Sequence, residues 1–380
     1  MIVMRAYRFR IYPNKEQSRE MDGHLEISRR LWNSILDATK YKYNTEKKFC
    51  KKKELREIVK NSGLYSQVSQ SVVDRLDRAI KAKIDMKRKG LKWGFPRFKK
   101  LGQLKSLYYP QFGFKLGNKL KVTPFGELKI RQHRQIEGRI KTLALKREPT
   151  GKWFAVFVAD APMSNNLKVG EGSVGVDLGL KTFATLSDGT MIDNHRVFRR
   201  YENKLAIEQR RFSRCKRGSN NRKRARIKVA RVHEKIVDVR RDFLHKTANM
   251  LIQNYSFIAL EKLNLRAMSQ GWLGKSINDA SWSAFTSILR YKAESAGCEV
   301  VFVNPNNTTQ ECSRCHEIVK KDLSERIHYC KHCGLLMDRD LNASKNILMK
   351  ATVGTTGSNA SGNGTVVPSM KEEANGCIPW

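Results

Sequence analysis

Acidic side chains are scarce in this sequence. Asp and Glu number 36 against 74 Lys and Arg in 380 residues, a formal net charge of +38. An excess that large does not suit an ordinary cytosolic enzyme and points to a polyanionic partner, of which nucleic acid is the commonest. Long apolar runs are also missing. No stretch reaches the ~18 residues a spanning helix needs. The opening "MIVMRAYRFRIYP" lacks the apolar core of a secretory signal. The expectation is therefore a soluble, intracellular protein with no membrane partner. No internal repeat is evident. Cysteine is sparse, and of the eight present Cys50, Cys215, Cys298 and Cys377 are scattered. The other four cluster at metal spacing, which in an intracellular chain favours a metal over disulfides.

What is present suffices for two or three domains, since 40% of residues are hydrophobic. "RAYRFRIYP" alternates, with Tyr7, Phe9 and Ile11 on one face and Arg8 and Arg10 on the other. It predicts a half-buried strand stopped by Pro13. Asn14 and Gln17 have capping-box spacing and open a helix carrying Leu25, Leu31, Trp32, Ile35 and Leu36. Val72, Leu76, Ile80 and Ile84 form the apolar stripe of a second helix. "RIKTLALKREPTGKWFAVFVAD" reads as a hairpin turning at Pro149–Gly151. The first 170 residues thus predict a small β unit interrupted by a helical insert.

From "GSVGVDLGLKTFATLSDG" the pattern is strand, tight turn, strand. A long helical stretch, 199–246, follows, with eighteen Lys and Arg against five Asp and Glu. "GSNNRKRAR" reads as a loop dividing it. "YSFIALEKL" predicts a short strand ending at Glu261, "SWSAFTSILRYKAESAG" a helix closed by Gly297, and "CEVVFVNP" another buried strand. Beyond residue 352 the composition is that of a disordered tail.

Two basic stretches are candidates for nucleic-acid contact. In "KAKIDMKRKGLKWGFPRFKKLGQLK", ten basic residues meet one acid, with Trp93, Phe95 and Phe98 interleaved. Cations among aromatics offer phosphate contacts and stacking together, although a plain solvated face remains an alternative. Lys87, Arg88, Lys89, Trp93 and Arg97 are the candidates there, and Arg222, Lys223, Arg224 and Arg226 in the second stretch.

Cys312-x2-Cys315 and Cys330-x2-Cys333 match a four-cysteine zinc ribbon. Two tight turns each aim two thiolates, closing a tetrahedron with Zn–S near 2.3 Å. One structural zinc is expected. Cys312–His316 also spells a haem-attachment string, which the second pair disfavours.

Three acids remain. Asp177 ends the apolar "VGVDLGL", Glu261 ends "FIALE", and Asp340 precedes the helical "LNASKNIL". Singly each has an ordinary reading: a turn residue, a partner for one of many lysines, or, for Asp338 and Asp340, helix-capping acids. Together, such carboxylates repel unless a cation intervenes. Two hard divalent ions would relieve them and arrange an in-line attack on phosphate.

"GVDLGLKTFATLSDG", "IALEKLNL" and "CSRCHEIVKKDLSERIHYCKHCGLLMDRDLNASKNIL", in that order, resemble the three split RuvC motifs of the TnpB family of insertion-sequence proteins, relatives of type V CRISPR effectors. "RAYRFRIYPNKEQ" and "GFPRFKK" add to the likeness, which spans about residues 5–350. The resemblance implies an α+β multidomain protein. Its RNase H-like (RuvC) nuclease holds an inserted zinc ribbon and follows a small β-barrel-like unit with a helical insert. It implies 1–13 as the first strand of an N-terminal wedge unit, 14–105 as a helical recognition insert and 106–170 as the rest of the β unit. The nuclease would occupy 171–308 and 337–352, the zinc ribbon 309–336 and the tail 353–380. It puts the catalytic acids at Asp177, Glu261 and Asp340, with Asp338 second choice to Asp340, holding two Mg²⁺. It implies a guide RNA and a target DNA as partners, a monomer or homodimer, and a bacterial or archaeal cytoplasm. His316 stands where the family commonly has glycine. A transposition accessory or DNA-binding regulator that never cuts, and a true transposase, are the alternatives.

Overall fold

The alternation at the N-terminus makes a strand. In the computed structural model, which describes residues 2–162, 168–322 and 325–356, β1 (Ile2–Tyr12) buries Tyr7, Phe9 and Ile11. Helix α1 (Lys15–Glu46) begins with the expected capping box. Asn14 Oδ1 accepts from Gln17 N at 2.8 Å and Gln17 Oε1 from Asn14 N at 3.0 Å. Helices α2 (Lys52–Val59) and α3 (Ser66–Arg88) pack on it around Trp32, Leu36, Leu55, Val72, Leu76 and Ile80. Strands β2 (Ser106–Tyr109), β3 (Phe114–Leu116), β4 (Leu120–Val122), β5 (Gly126–Arg131), β6 (Arg139–Arg147) and β7 (Trp153–Pro162) follow. With β1 they form an antiparallel sheet in the order β2-β6-β7-β1-β5-β4-β3. The sheet curls until its edges approach. Tyr109 on β2 and Phe114 on β3 have ring centroids 6.5 Å apart. The result is a nearly closed barrel around Phe9, Leu107, Leu143 and Phe157.

The rest of the chain forms β8 (Ser173–Leu178), β9 (Thr182–Leu186), β10 (Met191–Asp193), α4 (Val197–Arg214), α5 (Asn220–Asn254) and β11 (Phe257–Glu261). Then come α6 (Leu265–Met268), α7 (Gly274–Ala280), α8 (Trp282–Ala296), β12 (Glu299–Val303), β13 (Ile327–Tyr329), β14 (Leu336–Asp338) and α9 (Arg339–Thr356). Two compact units divide the chain. One is Met1–Asn165 with Phe198–Arg240; the other is Asn166–Val197 with Arg241–Trp380.

The second unit is built on a sheet of order β10-β9-β8-β11-β12, with β8, β11 and β12 parallel. Strand periodicity of two splits its residues between faces. Val174, Val176, Ile258 and Leu260 pack with Leu244, Leu251, Phe285 and Leu289 from the end of α5 and from α8. Ala259 and Val303 pack with Ile347 and Ala351 of α9. The sheet is therefore covered by helices on both faces.

Three expectations need correction. The break in the basic helical stretch is only residues 215–219. Ser219 Oγ accepts from Arg222 N at 3.1 Å, so "NNRKRAR" is already the first turns of α5. Strand β12 is an edge strand with only Val303 fully buried, not a buried one. Helix α9 runs to Thr356, so residues 353–356 are helical; the expected tail beyond, 357–380, lies outside the described residues.

Candidate active site and metal centre

Glu261 is the last residue of β11 and Asp177 the last but one of β8. The register pairs Leu260 with Val176, so the two acids are neighbours at the carboxyl end of parallel strands. By the same alternation Gly175, Asp177, Ala259 and Glu261 share the face that meets α9. Gly175 lets that helix come close: a Cβ there would lie 2.0 Å from Ser344 O and 2.7 Å from Leu348 N. The first turn of α9 carries Asp340 to the same place.

The electrostatics record the convergence. Lost solvation raises the Asp177 carboxyl to about 8, helped by the charges of Glu261 and Asp340; Arg339 opposes and Asp338 adds. Burial also raises Glu261, while the Thr308 hydroxyl, which donates to its carboxylate, and Lys350 hold it down. Asp340 Oδ1 accepts from Arg339 Nε and Nη2, each at 3.2 Å, and Oδ2 lies 3.7 Å from Arg326 Nη1. Asp338 has a different task. Its Oδ1 accepts from Asp340 N at 2.8 Å and Leu341 N at 3.1 Å, making it the N-cap of α9.

The four cysteines form the candidate metal centre. Cys312 and Cys333 sulfurs are 3.6 Å apart, Cys315 and Cys330 sulfurs 3.5 Å, and all four lie within 4.8 Å of one another. A tetrahedron of sulfurs 2.3 Å from zinc has edges of about 3.8 Å, so the tetrad fits that ion. The Cys333 N–H is the main cause lowering the Cys330 thiol to about 6, with help from the His332 N–H. At Cys315 the Glu317 N–H pulls down, but burial and the other three sulfurs push the thiol up to about 12. Among the described residues these four cysteines are the one group of His, Cys, Asp and Glu drawn close enough to hold a metal ion as the side chains stand.

Sequence reasoning missed the residues that join the two centres. Asn342, Ser344 and Asn346 on α9 are fully buried. Asn342 Oδ1 accepts from Ser313 N at 2.9 Å, and its amide donates to Glu311 O at 2.7 Å. Asn346 Nδ2 donates to Glu311 O at 2.7 Å and Thr308 O at 2.9 Å. The only signal was two asparagines four apart on a helix whose interior favours neither.

The nucleic-acid candidates divide. Lys87, Arg88, Lys89 and Arg97 are exposed, as are Lys223, Arg224 and Arg226. Trp93 instead packs edge-on against Tyr43, its centroid 6.0 Å away, and beside Phe95. Arg222 is committed internally: Nη1 donates to Phe212 O and Cys215 O, both at 3.0 Å, and the guanidinium lies over the Phe212 ring. It caps the end of α4. Between α4 and α5, Tyr201, Lys204, Glu208, Lys228, Arg231 and Lys235 line a cavity of about 230 Å³.

Comparison with known proteins places this arrangement. A family described as "Probable transposase" matches residues 157–271, a "Cas12f1-like, TNB domain" 282–347, and a "Helix-turn-helix domain" 1–48. In this chain 1–48 hold a strand and one long helix. "Putative RNA-guided DNA endonuclease InsQ" of Escherichia coli K12 is 28% identical over 372 residues, covering 91% of this chain and 92% of that protein. "Putative RNA-guided DNA endonuclease" of Streptomyces pristinaespiralis is 32% identical over 364 residues, covering 91% of this chain and 89% of its own. The solved "Cas12f1-sgRNA-target DNA complex" shares the fold, with TM-score 0.55 and 13% identity over 91% of this chain and 98% of that one. With relatives matched along nearly their whole length, and with the acid and cysteine motifs in the expected order, this chain belongs to the TnpB family.

Proposed function

We propose that the chain is an RNA-guided, metal-dependent DNA endonuclease of an insertion sequence, cutting at one RNase H-like site made of Asp177, Glu261 and Asp340. The observation that carries the reading is the desolvated carboxyl of Asp177, raised to about 8 beside two further acids. A folded protein holds such a group either for a proton or for a cation. The relatives that match it end to end are named for this activity.

Asp177, Glu261 and Asp340 would hold two Mg²⁺, and the hard carboxylate oxygens fit that ion. When bound, the metal supplies Lewis-acid stabilisation of the phosphate and lowers the pKa of a bound water. The chain's own groups do the rest. Thr308 fixes one Glu261 oxygen, so the other is presented in a set direction. Arg339 and Arg326 hold Asp340 and add positive charge where a phosphodiester would lie. Lys350 biases Glu261 toward the ionised form. Zinc at Cys312, Cys315, Cys330 and Cys333 is structural, since four thiolates leave no open position.

A guide RNA and its DNA target are the partners this reading requires. Base pairing would supply specificity while basic helices read the backbone. The barrel with helices α1–α3 is assigned the wedge and recognition roles, and the sheet of β8–β12 the nuclease. The test is cleavage of a guide-matched duplex. Asp177→Ala should abolish Mg²⁺-dependent cutting and leave binding nearly unchanged. A wild-type protein that binds but never cuts, with RNA recovered from its native locus, would make it a DNA-binding regulator instead.

A further inference from the structure

Trp272 is fully exposed, at 105% of its reference accessibility. Single exposed apolar residues are ordinary, but this one has company. Met268 and Leu273 beside it are 39% and 58% exposed. The loop that carries them is built rather than slack. Asn264 Oδ1 caps α6 through Ala267 N at 3.2 Å. Gly271 N donates to Met268 O, Gly274 N to Gly271 O at 2.9 Å, and Ile277 N to Leu273 O at 2.9 Å. Gly274 is required there, because a Cβ would lie 2.2 Å from Ser269 O. Leu263 and Leu265 anchor the loop's approach in the core of the second unit. An ordered turn thus holds an indole in water, where it adds nothing to folding.

The turn leaves the sheet at a telling end. The segment that leads to it leaves the sheet directly after Glu261, at the carboxyl end of β11, where Asp177 also lies on parallel β8, and reaches Trp272 by way of α6. A strand whose phosphate is to be cut must pass that end, and its bases must go somewhere. Unpaired bases stack on aromatic faces with little regard for sequence. An indole also loses less conformational entropy on ordering than a long cation would.

We infer that Trp272 stacks on an unpaired base of the DNA strand delivered to Asp177, Glu261 and Asp340, holding that strand in register for cutting. This rests on the endonuclease reading above. The indole offers sequence-tolerant grip, and Met268 and Leu273 form the apolar rim on which the base edge rests.

Fluorescence tests it directly. Trp32, Trp153 and Trp282 are buried, so they respond little to a ligand at the surface. Trp93, which is half-buried, and Trp380 also emit, and comparison with a Trp272→Phe protein that keeps both isolates the indole at 272. The probe is the full chain carrying Asp177→Ala, loaded with guide RNA, to which matched duplex DNA is added. Quenching should appear on DNA addition and vanish in a second protein that also carries Trp272→Phe, since Trp272 is then no longer the emitter. In the cleavage-competent protein, Trp272→Ala should slow cutting by about tenfold, in line with loss of one base stack. Trp272→Phe should restore most of the rate. Equal cutting rates for wild type and Trp272→Ala, quenching on DNA addition that Trp272→Phe leaves unchanged, or quenching by guide RNA alone that Trp272→Phe removes, overturn the inference. So does a change of oligomeric state in Trp272→Ala, which would make a second copy the occupant. If the wild type cuts no DNA with any guide, the endonuclease reading fails instead, and the quenching measurement still reports whether DNA reaches the indole.

Discussion

Asn342 on α9 grips both sides of the first cysteine of the metal centre: Ser313 N donates to its Oδ1 at 2.9 Å and its amide donates to Glu311 O at 2.7 Å. Two residues earlier on the same helix is Asp340. The zinc turn and the acid are therefore one mechanical assembly. Asn342→Ala leaves the half-buried Ser313 N–H without its partner, which costs about 1 kcal/mol. The variant should melt lower and cut more slowly at unchanged zinc content. Stripping zinc with a chelator and restoring only Mg²⁺ should also abolish cutting, and zinc should rescue it. Full activity of a zinc-free protein in Mg²⁺ would separate the two centres and remove this coupling.

Gly175 sets the distance between β8 and α9. A methyl group there would sit 2.0 Å from Ser344 O, which is backbone and cannot rotate away. Gly175→Ala should destabilise by about 1–3 kcal/mol, the usual range for overpacking. Displacement of α9 by about 1 Å would carry Asp340 from Asp177 and lower the cutting rate on the order of 100-fold. Thermal melts and single-turnover cleavage of the same variant measure both. A stable, fully active Gly175→Ala protein would show that α9 is free to shift without consequence.

How much of this was legible in the sequence depends on whether the signal was local. The capping box at Asn14, the alternation around Phe9 and the cysteine spacing are local, and each appears where residue types alone put it. The role of Gly175 was not legible, because its neighbour Ser344 is far along the chain. The same holds for Asn342 and Asn346, whose partners lie about thirty residues away on the far side of the cysteines. The internal bonds of Arg222 were not legible, because charge counting cannot see that two carbonyls at the end of α4 engage its guanidinium. The packing of Trp93 was not legible either, because its partner Tyr43 comes from α1, about fifty residues earlier.

His316 follows Cys315 in the left-handed region, φ 65°, while Gly334 follows Cys333 at φ 74°. The two knuckles make the same turn, His316 N to Cys312 O at 2.9 Å and Gly334 N to Cys330 O at 2.8 Å. A side chain in that conformation costs roughly 1–2 kcal/mol, partly offset because glycine loses about 0.5–1 kcal/mol more entropy on folding. The exposed pairing of His316 with Glu311 at 3.3 Å adds little. His316→Gly should therefore stabilise the protein slightly, by about 0.5 kcal/mol, with one zinc retained. A lower melting temperature would mean that the imidazole makes a contribution beyond its own turn.

Under the endonuclease reading, Asp177 links the reaction to stability. Its folded pKa, about 8, lies above the ordinary carboxylate value of 3.8. A raised acid favours the folded state while it is protonated, so its contribution is lost as pH climbs from near 4 toward 8. Without divalent ions the wild type should melt progressively lower across that window. Asp177→Asn keeps the shape and removes the charge, so its melting temperature should vary less with pH and exceed that of the wild type at pH 8. Added Mg²⁺ takes the place of the proton and should flatten the wild-type profile while leaving the variant's nearly unmoved. Parallel profiles for the two proteins, with and without Mg²⁺, would mean that the Asp177 carboxyl is solvated after all and that no cation is needed beside it.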